Sequence, residues 1–167
     1  MVMDPFFIWL ETTALSVWVR EATDLYAFPG ILSLHTIGMG FVAGMSAAMS
    51  LRILGAAAFV PLMELKRFFP VLWAGFWLNA ASGLVLLIGY PTKALTNPMF
   101  YLKLVFIGFG LLCLRTIRKS VFSDQDLDFK AVPRRGRLWA GASLACWAGA
   151  IFAGRLLAYT YSKLTTI

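Results

Sequence analysis

The chain has 167 residues, 60% of them hydrophobic and 14% charged, with a mean hydropathy of +0.77, where a soluble domain is about 45–50% apolar and about 25% charged. That balance excludes a water-soluble fold, because too little polar side chain is present to cover the surface of a domain this size. The 15 Lys and Arg against 8 Asp and Glu leave a net charge of +7, which in a membrane protein is tested as a topology signal before it is read as a nucleic-acid footprint.

In chain order, Asp4-Pro5 opens the first element as an N-cap followed by proline at the first helical position, and a helix of about 15 residues is expected there. Glu11, Arg20 and Glu21 make it too polar to span. A basic leader and a long apolar run before Glu11 are both missing, which argues against a secretory signal peptide. Residues 1–28 therefore predict an interfacial helix lying in the headgroups with its lead-in to the bundle, or alternatively an arm packed over the bundle.

Four stretches follow, at 29–54, 69–89, 98–117 and 138–161, each long enough for a hydrocarbon core that takes about 20 helical residues to cross. They predict an all-α, four-helix transmembrane bundle. Their apolar runs are continuous and lack a period of two, which excludes a closed β-barrel. Pro29, Pro70 and Pro98 stand at N-terminal edges, where a missing N–H costs nothing, and Asn97 is the expected N-cap of the third span.

On the first span His35, the only histidine, heads a stripe with Met39, Met45 and Met49, all within roughly 80° of it on a helical wheel. Gly40, Gly44 and Ala47 form a small-residue ridge on the other side, which suits a close helix contact. The second span carries Asn79 and Ser82 as interhelical hydrogen-bonding groups. Gly141, Ala145, Ala148 or Gly149, and Ala153 repeat the small-residue pattern on the fourth, and Cys113 and Cys146 fall inside spans as small hydrophobes.

Lys103 lies near the start of the third span and Arg155 near the end of the fourth. With alternating span directions, His35, Lys103 and Arg155 are expected at one depth, about 7–10 Å below one interface. Intramembrane charge is costly and marks a site unless the side chain snorkels to lipid phosphates. Two cations with an imidazole suit an anion, such as a carboxylate, a phosphate or the propionates of a haem. Tyr26, Tyr90, Tyr101 and Tyr159 stand at similar heights to supply hydroxyls.

The loop at 118–137 is strongly basic. Its Asp124, Asp126 and Asp128 alternate as in a calcium loop, but Phe129 and Arg135 stand where glycine and glutamate are required. Ten basic residues, Arg52, Lys66, Arg67, Arg115, Arg118, Lys119, Lys130, Arg134, Arg135 and Arg137, fall on one side of the spans, and five, Arg20, Lys93, Lys103, Arg155 and Lys163, on the other. The positive-inside rule then puts the basic loops in the cytoplasm and both termini in the periplasm. Most of the charge is thereby a topology code, and no nucleic-acid partner is expected. No phosphate-cradling glycine loop, HExxH, GxSxG or CxxC occurs. With no carboxylate or nucleophile–base pair inside the membrane, an enzyme acting by itself is not expected.

Pro29 with His35-Thr-Ile-Gly-Met-Gly, Leu51-Arg52-Ile-Leu-Gly55, Trp73-Ala-Gly-Phe, Ser82-Gly-Leu, Asn97-Pro with Lys103, and Ala153-Gly-Arg155-Leu with Tyr159 together resemble a family of bacterial four-helix inner-membrane proteins of unknown function. The early histidine and the four helices bear a weaker similarity to the membrane domain of copper-resistance protein D, although the further histidines of a copper relay or a bis-histidine haem are missing. The expected function is an accessory or binding subunit of the inner membrane. Its pocket would be formed by His35, Lys103, Arg155, Met39 and Tyr159, for an anionic or redox cofactor, with haem b on His35 the most concrete candidate. The alternatives are a copper-handling transporter using His35, Met39, Met45 and Met49, and a structural subunit docked through small-residue ridges onto other membrane subunits or a second copy.

Overall fold

A computed structural model describes residues 5–122 and 132–164, with side chains as far as residue 160. Asp4 and the Asp124–Asp128 segment lie outside the described residues. Within them the chain is helical, with no strand: α1 (Pro5–Glu11), α2 (Ala14–Glu21), α3 (Phe28–Leu54), α4 (Leu62–Lys66), α5 (Phe69–Gly89), α6 (Pro91–Leu95), α7 (Pro98–Ser120) and α8 (Arg134–Leu164). Four of these helices, α3, α5, α7 and α8, are long and apolar enough to cross a membrane. The protein is thus an all-α, multi-pass helical bundle.

Proline near the N-terminus of α3, α5, α6 and α7 and a cap at several ends set these limits. Asn97 caps α7 as expected, its side chain accepting from the Met99 N–H at 2.9 Å. α3 stops at Gly55, whose φ of 109° is left-handed, with the Ala56 N–H returning to the Leu51 carbonyl at 2.9 Å. α7 runs to Ser120 and α8 begins at Arg134, so both reach further toward the basic loop than the apolar runs alone define.

The single N-terminal helix expected from the sequence is two. The Thr12 and Thr13 hydroxyls donate back to the carbonyls of Trp9 and Leu10, at 2.8 and 2.7 Å, and Thr13 then caps α2. Such side-chain bonds compete with the helical ladder, and two in succession end it. α2 docks on the end of α5, with Val19 fully buried against Gly89 and the Ser16 hydroxyl facing the Gly89 carbonyl. Glu11, counted against a span, accepts from Thr92 at 2.6 Å and pairs with Arg20 at 3.9 Å, tying the arm to α6. Phe6, Trp9, Trp18 and Tyr26 remain on the outside, as an aromatic belt at an interface requires. The segment is packed on the ends of α5 and α6, with these aromatic side chains turned outward.

α3 is central, packed against α5 on one side and α8 on the other, and α7 packs on α8; α5 and α7 scarcely touch, so the ring of spans is open along that seam. At the α3–α5 crossing the backbones nearly meet. A Cβ on Gly75 would stand 2.5 Å from that of Phe41, and one on Gly38 would stand 2.6 Å from the Asn79 nitrogen. α7 and α8 interlock reciprocally, the Phe106 ring filling the space at Gly149 and the Trp147 indole that at Gly110. The apolar core, with Met49, Ile53, Leu72, Ile117 and Phe122, occupies the basic half of the bundle. His35, Asn79, Ser82 and Lys103 gather in the other half, at the end carrying α1, α2 and α6, while Ser46 and Ser143 pair within the basic half.

The small-residue ridge reverses its expected role. Gly40 and Gly44 face open space, with nothing within 4 Å of an added Cβ, while Gly38, which falls within the arc of the His35–methionine stripe, makes the close contact.

Candidate functional site

Seven residues into α3, the His35 imidazole enters the α3–α5 interface one turn from the Gly38–Gly75 crossing. Gly83 makes room for the ring, since a Cβ there would lie 2.9 Å from the imidazole Cε1. Nδ1 lies 2.9 Å from the Asn79 backbone carbonyl and 3.3 Å from the Ser82 hydroxyl. The Ser82 hydroxyl donates to the Leu78 carbonyl at 2.6 Å, so toward the ring it accepts. The nearest partner, a carbonyl that can only accept, assigns the proton to Nδ1, and the Asn79 amide nitrogen lies against the ring, 3.3 Å from Nδ1 and 3.5 Å from Nε2. The Asn79 amide in turn donates to the His35 carbonyl at 2.7 Å. Asn79 and Ser82 are interhelical hydrogen-bonding groups as expected, and they also fix the tautomer of the one histidine.

That tautomer leaves a lone pair on Nε2, which meets Nζ of Lys103 at 3.3 Å. The lysine stem reaches this position along α8, with Cδ and Cε 3.6 Å from where a Gly154 Cβ would be. Four spans thus meet at one half-buried cluster, His35 from α3, Asn79 and Ser82 from α5, Lys103 from α7 and Gly154 from α8. None of these four helices contains an Asp or Glu. As an ammonium, Lys103 carries a charge that no carboxylate of the spans answers, and its hydrogen-bond acceptor is a neutral ring.

The other expected site residues lie elsewhere. Arg155 is exposed, its guanidinium 5.3 Å from the centre of the Tyr159 ring, which is itself exposed. The pair faces the bundle exterior, where a long cationic side chain meets lipid headgroups. Tyr101 donates to the Leu95 carbonyl, and Tyr26 is 82% exposed. Met49 is buried in the core with Met39 and Met45 packed against it, and the stripe fills space among apolar side chains.

Among the described residues no group of three His, Cys, Asp or Glu could hold a metal. A haem iron or a copper ion on His35 would have to take Nε2, since Nδ1 is committed to Asn79, and Lys103 already holds that lone pair. The cluster as built does not fit either metal unless Lys103 withdraws. What it offers directly is an ammonium with two further N–H bonds to give.

Gly83 and Gly154 carried no signal of a site in the sequence, because a glycine that accommodates an imidazole or a lysine stem is indistinguishable there from one that loosens a helix. Cys113, assigned no role, is buried in α7, and Cys146, likewise, is half-buried in α8.

No protein-family model, curated protein or solved structure matches this chain. The fold and cluster define its class, a multi-pass membrane bundle with a polar cluster at one end.

Proposed function

We propose that the protein is a binding or accessory subunit of the bacterial inner membrane, with both termini periplasmic, that seats an anionic group on Lys103. The carboxylate and the phosphate share the required chemistry, an oxyanion that accepts charge-assisted hydrogen bonds. The observation that carries the reading is the Lys103 ammonium on His35 Nε2 at 3.3 Å, within spans that contain no acid. An intramembrane ionisable side chain without an internal counter-ion marks a binding site. His35, held by Asn79 and Ser82, aims the ammonium. The four long apolar helices support a membrane location, and the split of the basic residues supports the orientation.

The test is thermal unfolding of the full chain in mild detergent, titrated with inorganic phosphate and with benzoate. A ligand that binds only the folded state raises Tm in a saturable way. The rise is expected in the parent protein and absent in Lys103→Met; an equal rise in both overturns the reading. The same preparation tests the alternatives. A Soret band that shifts on reduction and disappears in His35→Ala would establish haem b in its place. Copper retained after loading, and lost in the Met39→Ala, Met49→Ala double variant, would establish the copper-handling reading.

One observation favours a structural subunit as the second reading. Gly40 and Gly44 present a small-residue ridge to the exterior with nothing against it, the surface on which another membrane helix packs closely. A partner chain co-purifying in fixed ratio with the parent, and lost in Gly44→Leu, would support it.

A further inference from the structure

The seam along which α5 and α7 fail to pack leaves a cleft of about 400 Å³ at the basic end of the bundle. It is separate from the His35–Lys103 cluster, lined by the first turn of α5 and the second half of α7. Its walls are apolar, with Phe69, Leu72 and Trp73 on one side and Gly108, Leu111 and Leu112 on the other. Two charged side chains complete the lining, Arg115 and Arg118, one turn apart near the end of α7.

Three features say what fits there. Arg118 lays its guanidinium over the Phe69 ring, 5.5 Å from the centroid. A cation–π contact is not a hydrogen bond between N–H and carboxylate or phosphate oxygen, so the guanidinium keeps N–H groups to give to an oxyanion. Both arginines are exposed, and among the described residues neither forms an ion pair with a carboxylate.

Gly108 borders the cleft with nothing within 4 Å of an added Cβ, so the space runs on beside it. From Gly108 to Arg118 is ten residues of helix, about 15 Å at 1.5 Å per residue. That is half of a hydrocarbon core of about 30 Å, the depth of one leaflet. The occupant therefore has an apolar tail one leaflet long and an anionic head at the interface.

Arg134, Arg135 and Arg137 stand exposed at the same end of the bundle. Their field repels the ammonium of a zwitterionic headgroup and favours a net negative one.

We propose that the α5–α7 cleft holds one anionic phospholipid, its phosphate on Arg115 and Arg118 and an acyl chain lying along Leu111 and Leu112 to Gly108. The lipid fills the seam that the protein leaves open.

The experiment is native mass spectrometry of the full chain released from nanodiscs of equal phosphatidylglycerol and phosphatidylethanolamine. One phosphatidylglycerol is expected to stay bound, and its retention to fall by about ten-fold in the Arg115→Gln, Arg118→Gln double variant. Gly108→Phe, which blocks the slot without touching charge, is expected to lose the lipid, while Gly108→Ala keeps it. If the arginine variant does not fold, the Gly108 pair decides alone. Equal retention of the two lipids, unchanged retention in the arginine variant, or retention in Gly108→Phe equal to that in Gly108→Ala would overturn the proposal. Displacement by excess glycerol phosphate would also overturn it, by showing that the acyl chain contributes nothing.

Discussion

Lys103 passes along Gly154 of α8 to set its ammonium 3.3 Å from Nε2 of His35 on α3. One side chain of α7 therefore lies along its neighbour α8 and reaches past it to α3, and His35 carries the connection on to α5 through Asn79. The helices that leave a seam open at the basic end are linked at the other through this polar cluster. The geometry makes the histidine and the lysine one unit, and the predictions below test what holds that unit and the bundle around it.

The tautomer of His35 is the most direct test of the site. With Nδ1 donating to the Asn79 carbonyl and Nε2 accepting from Lys103, nitrogen-15 NMR of histidine-labelled protein at neutral pH is expected to show Nδ1 as the protonated nitrogen. Lys103→Met should alter the Nε2 resonance and leave Nδ1 protonated. A proton found on Nε2 in the parent protein would contradict the arrangement.

The glycines of α3 and α5 are expected to divide into two classes. Gly75→Ala puts a Cβ 2.5 Å from that of Phe41, and separating the helices to admit it should cost about 1–3 kcal/mol. Gly44→Ala meets nothing and should stay within about 0.5 kcal/mol of the parent. Unfolding by SDS in mixed micelles measures both, and equal effects would place the crossing elsewhere.

Ser46 and Ser143 share a buried hydrogen bond of 3.0 Å between α3 and α8. A double-mutant cycle with alanine at each position is expected to return a coupling of about 0.6 kcal/mol, with about 1.7 as the upper end for such bonds in a membrane. A coupling of zero would mean that the two hydroxyls satisfy themselves within their own helices.

The charge distribution predicts both ends of the chain on the side opposite the basic loops. Alkaline phosphatase fused after Ile167 should be active and green fluorescent protein at the same point dark, with the reverse for fusions at 123–131. An active phosphatase in that loop would invert the topology while leaving the helix packing unchanged.

The sequence by itself determined the class of fold and the number of long apolar helices. Hydrophobic run length, proline at helix starts and the Asn97 cap are local properties, and the bilayer permits few structures for a chain with so little charge. Asn79 and Ser82 were legible as interhelical groups for the same reason, since a buried polar side chain in a span must find a partner. That His35 and Lys103 share a level was also legible, because depth along a helix can be counted.

Only the tertiary structure decided which faces meet. Helix rotation about its own axis is set by packing, and a chain apolar on every side gives no hydrophobic stripe to read it from. So Gly38 makes the contact that the Gly40–Gly44 ridge was expected to make, Arg155 turns outward onto Tyr159 while Lys103 turns inward to His35, and the methionines below His35 go into the core. The break at Thr12–Thr13 and the open seam between α5 and α7 belong with these. Each depends on which of several compatible partners a side chain reaches, and that is settled by the assembled bundle.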